Sequence, residues 1–250
     1  MALCKTLAIT LKRTDYSDTS QIVSFYTLDY GRIHAIAKGS KRYKKKFTAA
    51  LDLLTYNEIV FIEKESAKLC TLTEWELIDN FSGLRESLDK FYTASYVAEL
   101  VREFTEENDR NDELFKLLIN TLRGISLSDG VPEISVYLLT FELRILGLAG
   151  YMPEMTCCIN CHAEIQFKNY VSFNAREGGV LCEECQNNNQ DRITILPGAV
   201  TAAKYLANCD FHMVSRFRIQ PSIYADIRRM LNHYISFTLN KELRMWKYIP

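Results

Sequence analysis

The feature that most constrains this chain is a change of hydrophobic period near residue 82. Before it, apolar residues recur at every second position, as a half-buried strand requires; after it they recur at helical intervals. In "KTLAITLKR" strict alternation places Leu7, Ile9 and Leu11 on one face, and "SQIVSFYTL" is rich in β-branched and aromatic residues. "LDYGRIHAIAKG" holds two strand-like runs joined by a DYGR turn, where Gly31 supplies the permissive backbone. "LLTYNEIVFIEK" and "AKLCTLTEWELI" bring the count to five strands in the first 80 residues. So small a set of strands must close or nearly close on itself, because an open sheet would leave edges unpaired and too little core. A five-stranded Greek-key barrel of the OB type is the expected form. An SH3-like barrel has a similar strand count, and the count alone does not separate the two.

Beyond the switch, "RESLDKFYTASYVAELVREFTEEN" spaces Leu88, Phe91, Tyr92, Val97, Leu100, Val101 and Phe104 for a helix. "DELFKLLINTLRGI" continues the pattern with Asp112 as its expected N-cap. "PEISVYLLTFELRILGLAGYMP" starts with Pro132 in a first turn and stops at Gly150 before Pro153. Two more helices are predicted at roughly 197–208 and 221–241, after a cysteine-bearing interruption. The predicted fold is therefore α+β and multidomain. An OB-type β-barrel spans 1–80, and an α-helical domain spans 81–250 with a four-cysteine zinc ribbon inserted at about 155–190.

Composition narrows the function classes. A hydrophobic fraction of 48% excludes wholesale disorder, and no apolar run reaches the ~18–20 residues of a membrane span. "MALCKTLAITLKRTDYSD" reads as a first strand rather than a signal peptide. The net charge of −1 conceals an uneven spread: residues 81–150 carry 7 Lys/Arg against 12 Asp/Glu, which argues for protein contacts there rather than a general DNA surface. Of the eight cysteines, four fall in two C-x-x-C pairs and Cys4, Cys70, Cys157 and Cys209 are scattered, a usage that fits a reducing, cytoplasmic compartment.

The pairs are "CINC" (Cys158, Cys161) and "CEEC" (Cys182, Cys185), separated by 20 residues with "REGG" turning a small hairpin between them. Four thiolates at this spacing suit one tetrahedral, structural Zn²⁺, each pair forming a tight knuckle. Cys157 lies beside Cys158, but Cys158 gives the two-residue gap. A catalytic alternative exists, because His162 and Glu164 of "HAE" with a C-x-x-C downstream are similar to the signature of zinc-dependent base deaminases. Against it, Leu181 stands where a proline is required, and a fourth thiolate would close the position that water must occupy. The chain has no P-loop and no G-x-S-x-G, and His34, His162, His212 and His233 are dispersed, so no enzymatic role is expected.

The run "KGSKRYKKK" places six basic residues in nine, Lys38, Lys41, Arg42, Lys44, Lys45 and Lys46, around Tyr43. Runs of this kind are commonly solvated loops. This one leaves a strand of a small barrel, includes an aromatic that can stack on a base, and has Arg13 and Arg32 at strand ends to extend the surface. OB barrels bind single strands by pairing a positive groove with a stacking ring, each stacked base contributing ~1–3 kcal/mol. Six neutralised phosphates on a single strand would give a log–log salt slope of roughly −4. Screening confines such a field to ~8–10 Å, so a neutral protein can still bind through it.

A barrel, a basic loop and a helical domain carrying a four-cysteine ribbon, in this order, resemble the bacterial RecO recombination-mediator family over essentially the whole chain. The most specific segments are "LKRTDYSDTSQIVSFYTLDYGRIHAIAKGSKR" and "CINC…FNAREGGVLCEEC", with Ser17-Asp18 departing from an expected Gly-Glu-like pair. The resemblance implies a non-enzymatic DNA-repair role for a cytoplasmic, nucleoid-associated bacterial protein. It would bind single- and double-stranded DNA, anneal complementary strands and act with RecR. It would also help RecA replace single-strand-binding protein, whose C-terminal tail it docks. That tail is expected on the helical domain, with Arg102, Arg123 and Arg144 as candidate cations. Arg216, Arg218, Arg228 and Arg229 either form a second DNA surface or frame a solvated helix. The same residues also fit a general single-strand or RNA-binding module with a structural zinc, or a scaffold whose basic loop is inert.

Overall fold

The structure, a computed structural model, describes residues 2–40, 51–63, 69–166, 170–186 and 192–249. Its five N-terminal strands are β1 (Ala2–Asp15), β2 (Gln21–Thr27), β3 (Gly31–Ala37), β4 (Tyr56–Glu63) and β5 (Cys70–Asp79). They form a closed barrel in the order β1-β2-β3-β5-β4. The β3–β5 pair is parallel, Ala35–Ala37 against Cys70–Leu72, and the other pairs are antiparallel. This is the OB arrangement, and it decides between the two barrels that strand count left open. Closure depends on the length of β1. Ala2–Ile9 pair with β4 and Ala8–Asp15 with β2, with a bulge between Thr10 and Lys12 in the β2 ladder. A bulge at this point bends the strand enough to serve both neighbours.

Inside the barrel lie Cys4, Ala8, Val23, Phe25, Ile33, Ala35, Ala37, Leu51, Ile59, Phe61, Leu72 and Trp75. Phe25 and Phe61 are among its fully buried large side chains, each contributing on the order of 2–3 kcal/mol by leaving water. The alternating face of Ile9 points the other way. Ile9 stands opposite Tyr26 and Tyr56, and both rings contact Phe115, at 6.4 and 6.3 Å, in the second of two helices. These helices are α1 (Leu88–Phe104) and α2 (Asp112–Leu127). Ser87 caps α1 by accepting the Lys90 N–H. The cap of α2 falls one residue before the expected Asp112: Asn111 Oδ1 accepts the Leu114 N–H at 2.9 Å, while Asp112 pairs with Arg110 at 2.7 Å. Gly31, at φ +61°, is needed twice over, because a Cβ there would meet the Asp109 carbonyl oxygen at 2.1 Å.

The chain divides into two compact units, Met1–Leu127 and Ser128–Tyr248. The second holds α3 (Val131–Leu148), α4 (Pro197–Asn208) and α5 (Pro221–Leu239), each with a proline in its first turn, where a missing N–H costs nothing. It also holds a three-stranded sheet ordered β7-β6-β8, from β6 (Val171–Asn174), β7 (Gly179–Leu181) and β8 (Arg192–Ile195). Buried Glu142 of α3 receives two 2.7 Å hydrogen bonds from Arg228 of α5, whose guanidinium stacks 3.9 Å from the Trp246 ring centroid. Among the described residues, no helix is long and apolar enough to cross a membrane.

Candidate metal centre and nucleic-acid interface

The β6–β7 hairpin turns at Gly178, φ +76°, and returns the chain to Cys182. The first knuckle is held against it, with the Ile159 N–H donating to the Val180 carbonyl at 3.0 Å. The knuckle itself closes through His162 N–H to the Cys158 carbonyl at 2.9 Å, with His162 left-handed at φ +59°. Gln186 N–H makes the equivalent bond to the Cys182 carbonyl at 3.0 Å. As a result the four sulfurs of Cys158, Cys161, Cys182 and Cys185 lie within 4.8 Å of one another, and Cys161 and Cys182 are 3.6 Å apart. A tetrahedron of Zn–S bonds near 2.3 Å sets its sulfurs about 3.8 Å apart, so the donor set fits a four-thiolate metal site. Burial raises the Cys158 thiol, but N–H groups of Cys161, Cys182 and Asn160 outweigh it and bring it to about 6. The neighbouring Cys182 thiol pushes Cys185 up to about 12. Crowded sulfurs of this kind need a cation to be thiolates together.

Cys157 is outside the cluster; its N–H donates to Glu154 Oε1 at 3.1 Å. Glu164 forms an antiparallel bridge with Cys157, beside a cluster that offers four sulfur donors. The cluster thus offers four thiolates to one metal ion.

On the barrel, the end of β1, the start of β2 and the end of β3 stand in register, Asp15 with Gln21 and Gln21 with Ala37. Lys38 is exposed where the chain leaves this end. The other predicted contacts of the basic run, Lys41, Arg42, Tyr43, Lys44, Lys45 and Lys46, lie outside the described residues. Arg13 stands opposite the interior residue Val23 and donates to the Leu51 carbonyl (2.8 Å) and to Asp52 (3.0 Å). It therefore closes the barrel mouth beside the point where the chain rejoins at Leu51. Arg32 is at the opposite end of β3, six residues and roughly 20 Å along the strand from Lys38. Its guanidinium donates twice to the Thr105 carbonyl, at 3.2 and 2.9 Å. The two arginines thus serve different faces. Both spend donors on their own chain, and neither is brought beside the exposed end of the run.

Two sequence models cover nearly all of these features: "Recombination protein O N terminal" matches residues 1–81 and "Recombination protein O C terminal" matches 85–247. The chain belongs to the RecO family. It is 31% identical to the DNA repair protein RecO of Rhodopirellula baltica over 98% of each chain. It is 30% identical to that of Syntrophus aciditrophicus over 98% of this chain and 94% of the relative. A Thermoanaerobacter protein of the same name is 28% identical over 100% of this chain and 98% of its own. The RecO models meet at residues 81–85, whereas packing divides the chain at Leu127, because α1 and α2 cover the barrel's outer face.

Of the arginines considered for tail docking in this RecO-family chain, Arg144 is engaged by the carbonyls of Leu206 and Cys209 and by the Phe211 ring. Arg123 is half-exposed, 3.7 Å from Asp79. Arg102 lies at the end of α1 beside the barrel. Arg228 is buried, Arg229 binds Asp226 and the Thr194 carbonyl, and Arg218 binds backbone carbonyls of its own loop. A continuous cationic helix face is therefore not what the α5 arginines make.

Proposed function

We propose that this chain is a non-enzymatic DNA repair and recombination mediator. It binds single- and double-stranded DNA, anneals complementary strands and, with RecR, helps load RecA onto DNA coated by single-strand-binding protein. The observation that carries the reading is a closed OB barrel with exposed Lys38, the first residue of the basic sequence run, directly after β3, in a chain of the RecO family. Its relatives named as DNA repair proteins support the process. The run supplies counter-charge that lets two polyanionic strands approach, which annealing needs and which requires no covalent step.

In this reading residues 1–80 are the DNA-binding domain and 81–250 the helical domain. Lys38, Lys41, Arg42, Lys44, Lys45 and Lys46 hold phosphates, Tyr43 stacks on a base, and Arg13 and Arg32 add positive potential from their anchored positions. Cys158, Cys161, Cys182 and Cys185 hold one structural Zn²⁺ that fixes the ribbon. The tail of single-strand-binding protein docks on the helical domain, and half-exposed Arg123 is a freer cation for its carboxylate than engaged Arg144. The protein acts in the bacterial cytoplasm, at the nucleoid.

Annealing of complementary oligonucleotides, followed by fluorescence energy transfer, tests this. The mediator reading predicts faster pairing than for the strands alone. Slower pairing, from sequestered strands, would favour the general single-strand or RNA-binding module.

A further inference from the structure

A second group of cations lies away from the basic run, on the outer face of β1–β3. Lys12 stands directly opposite Ser24, and Ser24 directly opposite His34, so the three form one row across three strands. The side chains on either side of Ser24, Val23 and Phe25, fill the interior, which turns the Ser24 hydroxyl outward. Arg32 is two residues from His34 on the same face, its Nη1 3.2 Å from His34 Nε2. From α1 and the segment after it come Arg102 and Glu107; the latter's carboxylate is 3.3 Å from His34 and half exposed.

Two features of this row are unexplained by the fold. Its charges do not balance: Lys12, Arg32 and Arg102 face one carboxylate, Glu107, among the charges that act most strongly on His34. Two of its polar atoms also lack a partner. Ser24 is only 3% exposed, yet its Oγ has no hydrogen-bond partner among the described residues, and neither has the buried Nε of Arg102. Buried polar groups are almost always satisfied, so two orphans beside this cationic row point to a missing acceptor. The surroundings also hold His34 neutral more readily than usual: burial lowers its pKa, Glu107 opposes this, and Arg32, Lys12 and Arg102 add to the lowering.

We propose that Lys12, Ser24, Arg32, His34 and Arg102 form a pocket for phosphate oxygens, which Glu107 occupies until a phosphodiester of bound nucleic acid replaces it. The pocket rests on the reading of the barrel as a DNA platform and extends it. Lys38 follows the last residue of β3, four residues beyond His34 and no more than roughly 13 Å along the chain, so a strand held by the basic run can reach it. Glu107 then acts as an internal competitor, and its removal strengthens DNA binding.

The test is binding of a fluorescent oligothymidine to the full chain across a salt series. Glu107→Gln is expected to tighten binding about three- to fivefold, while Glu106→Gln, a control of equal charge change, stays within about twofold. Lys12→Gln is expected to weaken binding and to reduce the salt slope by about 0.7. If the wild type binds and both Glu107→Gln and Lys12→Gln leave affinity and slope unchanged, the pocket is overturned while the DNA reading stands. If the wild type does not bind oligonucleotide, the DNA reading falls. Titration of inorganic phosphate against the His34 imidazole resonances then decides the pocket. A saturable shift that Lys12→Gln abolishes supports a site for free phosphate oxygens, and no shift overturns it. Unchanged melting temperatures exclude unfolding as the cause of any effect.

Discussion

Replacing Glu142 by glutamine should be among the most damaging single changes in the second unit, although it alters neither size nor shape. Glu142 is fully buried, and the Arg228 side chain is 9% exposed, with both carboxylate oxygens 2.7 Å from one guanidinium nitrogen. Glutamine removes the buried negative charge that faces the desolvated Arg228 guanidinium where it stacks on Trp246. Truncating one member of a buried pair costs about 3–5 kcal/mol, which in a unit of this size lowers the melting temperature by roughly 10–20 °C. The chain has two tryptophans, Trp75 in the barrel and Trp246 on Arg228, so a Trp75→Phe background makes fluorescence report this site alone. Urea unfolding followed by Trp246 emission and by circular dichroism gives the cost. The double variant Glu142→Leu, Arg228→Met removes both charges and should recover most of the loss, because desolvating a pair offsets much of its Coulombic gain. A cost below about 1 kcal/mol for Glu142→Gln, or a double variant worse than the single, would refute the reasoning.

Cys182→Ser should abolish stoichiometric zinc in the purified chain, whereas Cys157→Ser should retain it; elemental analysis checks both, and metal loss in the latter would reassign the ligand. Gly31→Ala should cost at least about 2 kcal/mol, from the left-handed backbone and the clash with Asp109. It should also speed hydrogen exchange at Asn108, whose N–H bonds the Arg32 carbonyl. N–H groups of Thr156 and Cys157 hold the Glu154 carboxyl below the usual carboxylate range. Its contribution is therefore complete above the unfolded value near pH 4.3 and is lost as pH falls through the lower folded value. Stability profiles of wild type and Glu154→Gln should converge in acid; a gap that persists there would contradict this.

The five strands and the main helices were legible because each announces itself within ten to twenty residues, by a period of two or of 3.6. The cysteine knuckles were legible for the same reason, since each pair closes locally. What could not be read is non-local. The parallel closure of β3 on β5 joins residues 35 positions apart, and no local pattern encodes it. Strand β8 has four residues, too few for a period to emerge, and is defined only by its pairing with β6. The face that Ile9 serves follows from which element covers it, so alternation revealed the face but not that α2 buries it. The sequence placed Arg13 at a strand end, but not that a residue opposite Val23 finds acceptors at Leu51 and Asp52. Lys12, Ser24 and His34 are ten or more residues apart in sequence, and only cross-strand register makes them neighbours.

The affinity of single-stranded DNA as a function of salt, for the wild type and for a variant with Lys44, Lys45 and Lys46 changed to glutamine, tests most directly whether the basic run makes this barrel a DNA-binding surface. The account predicts a slope near −4 for the wild type, flattened by about 2 in the variant, with affinity falling accordingly. Equal slopes and equal affinities for the two proteins would contradict it.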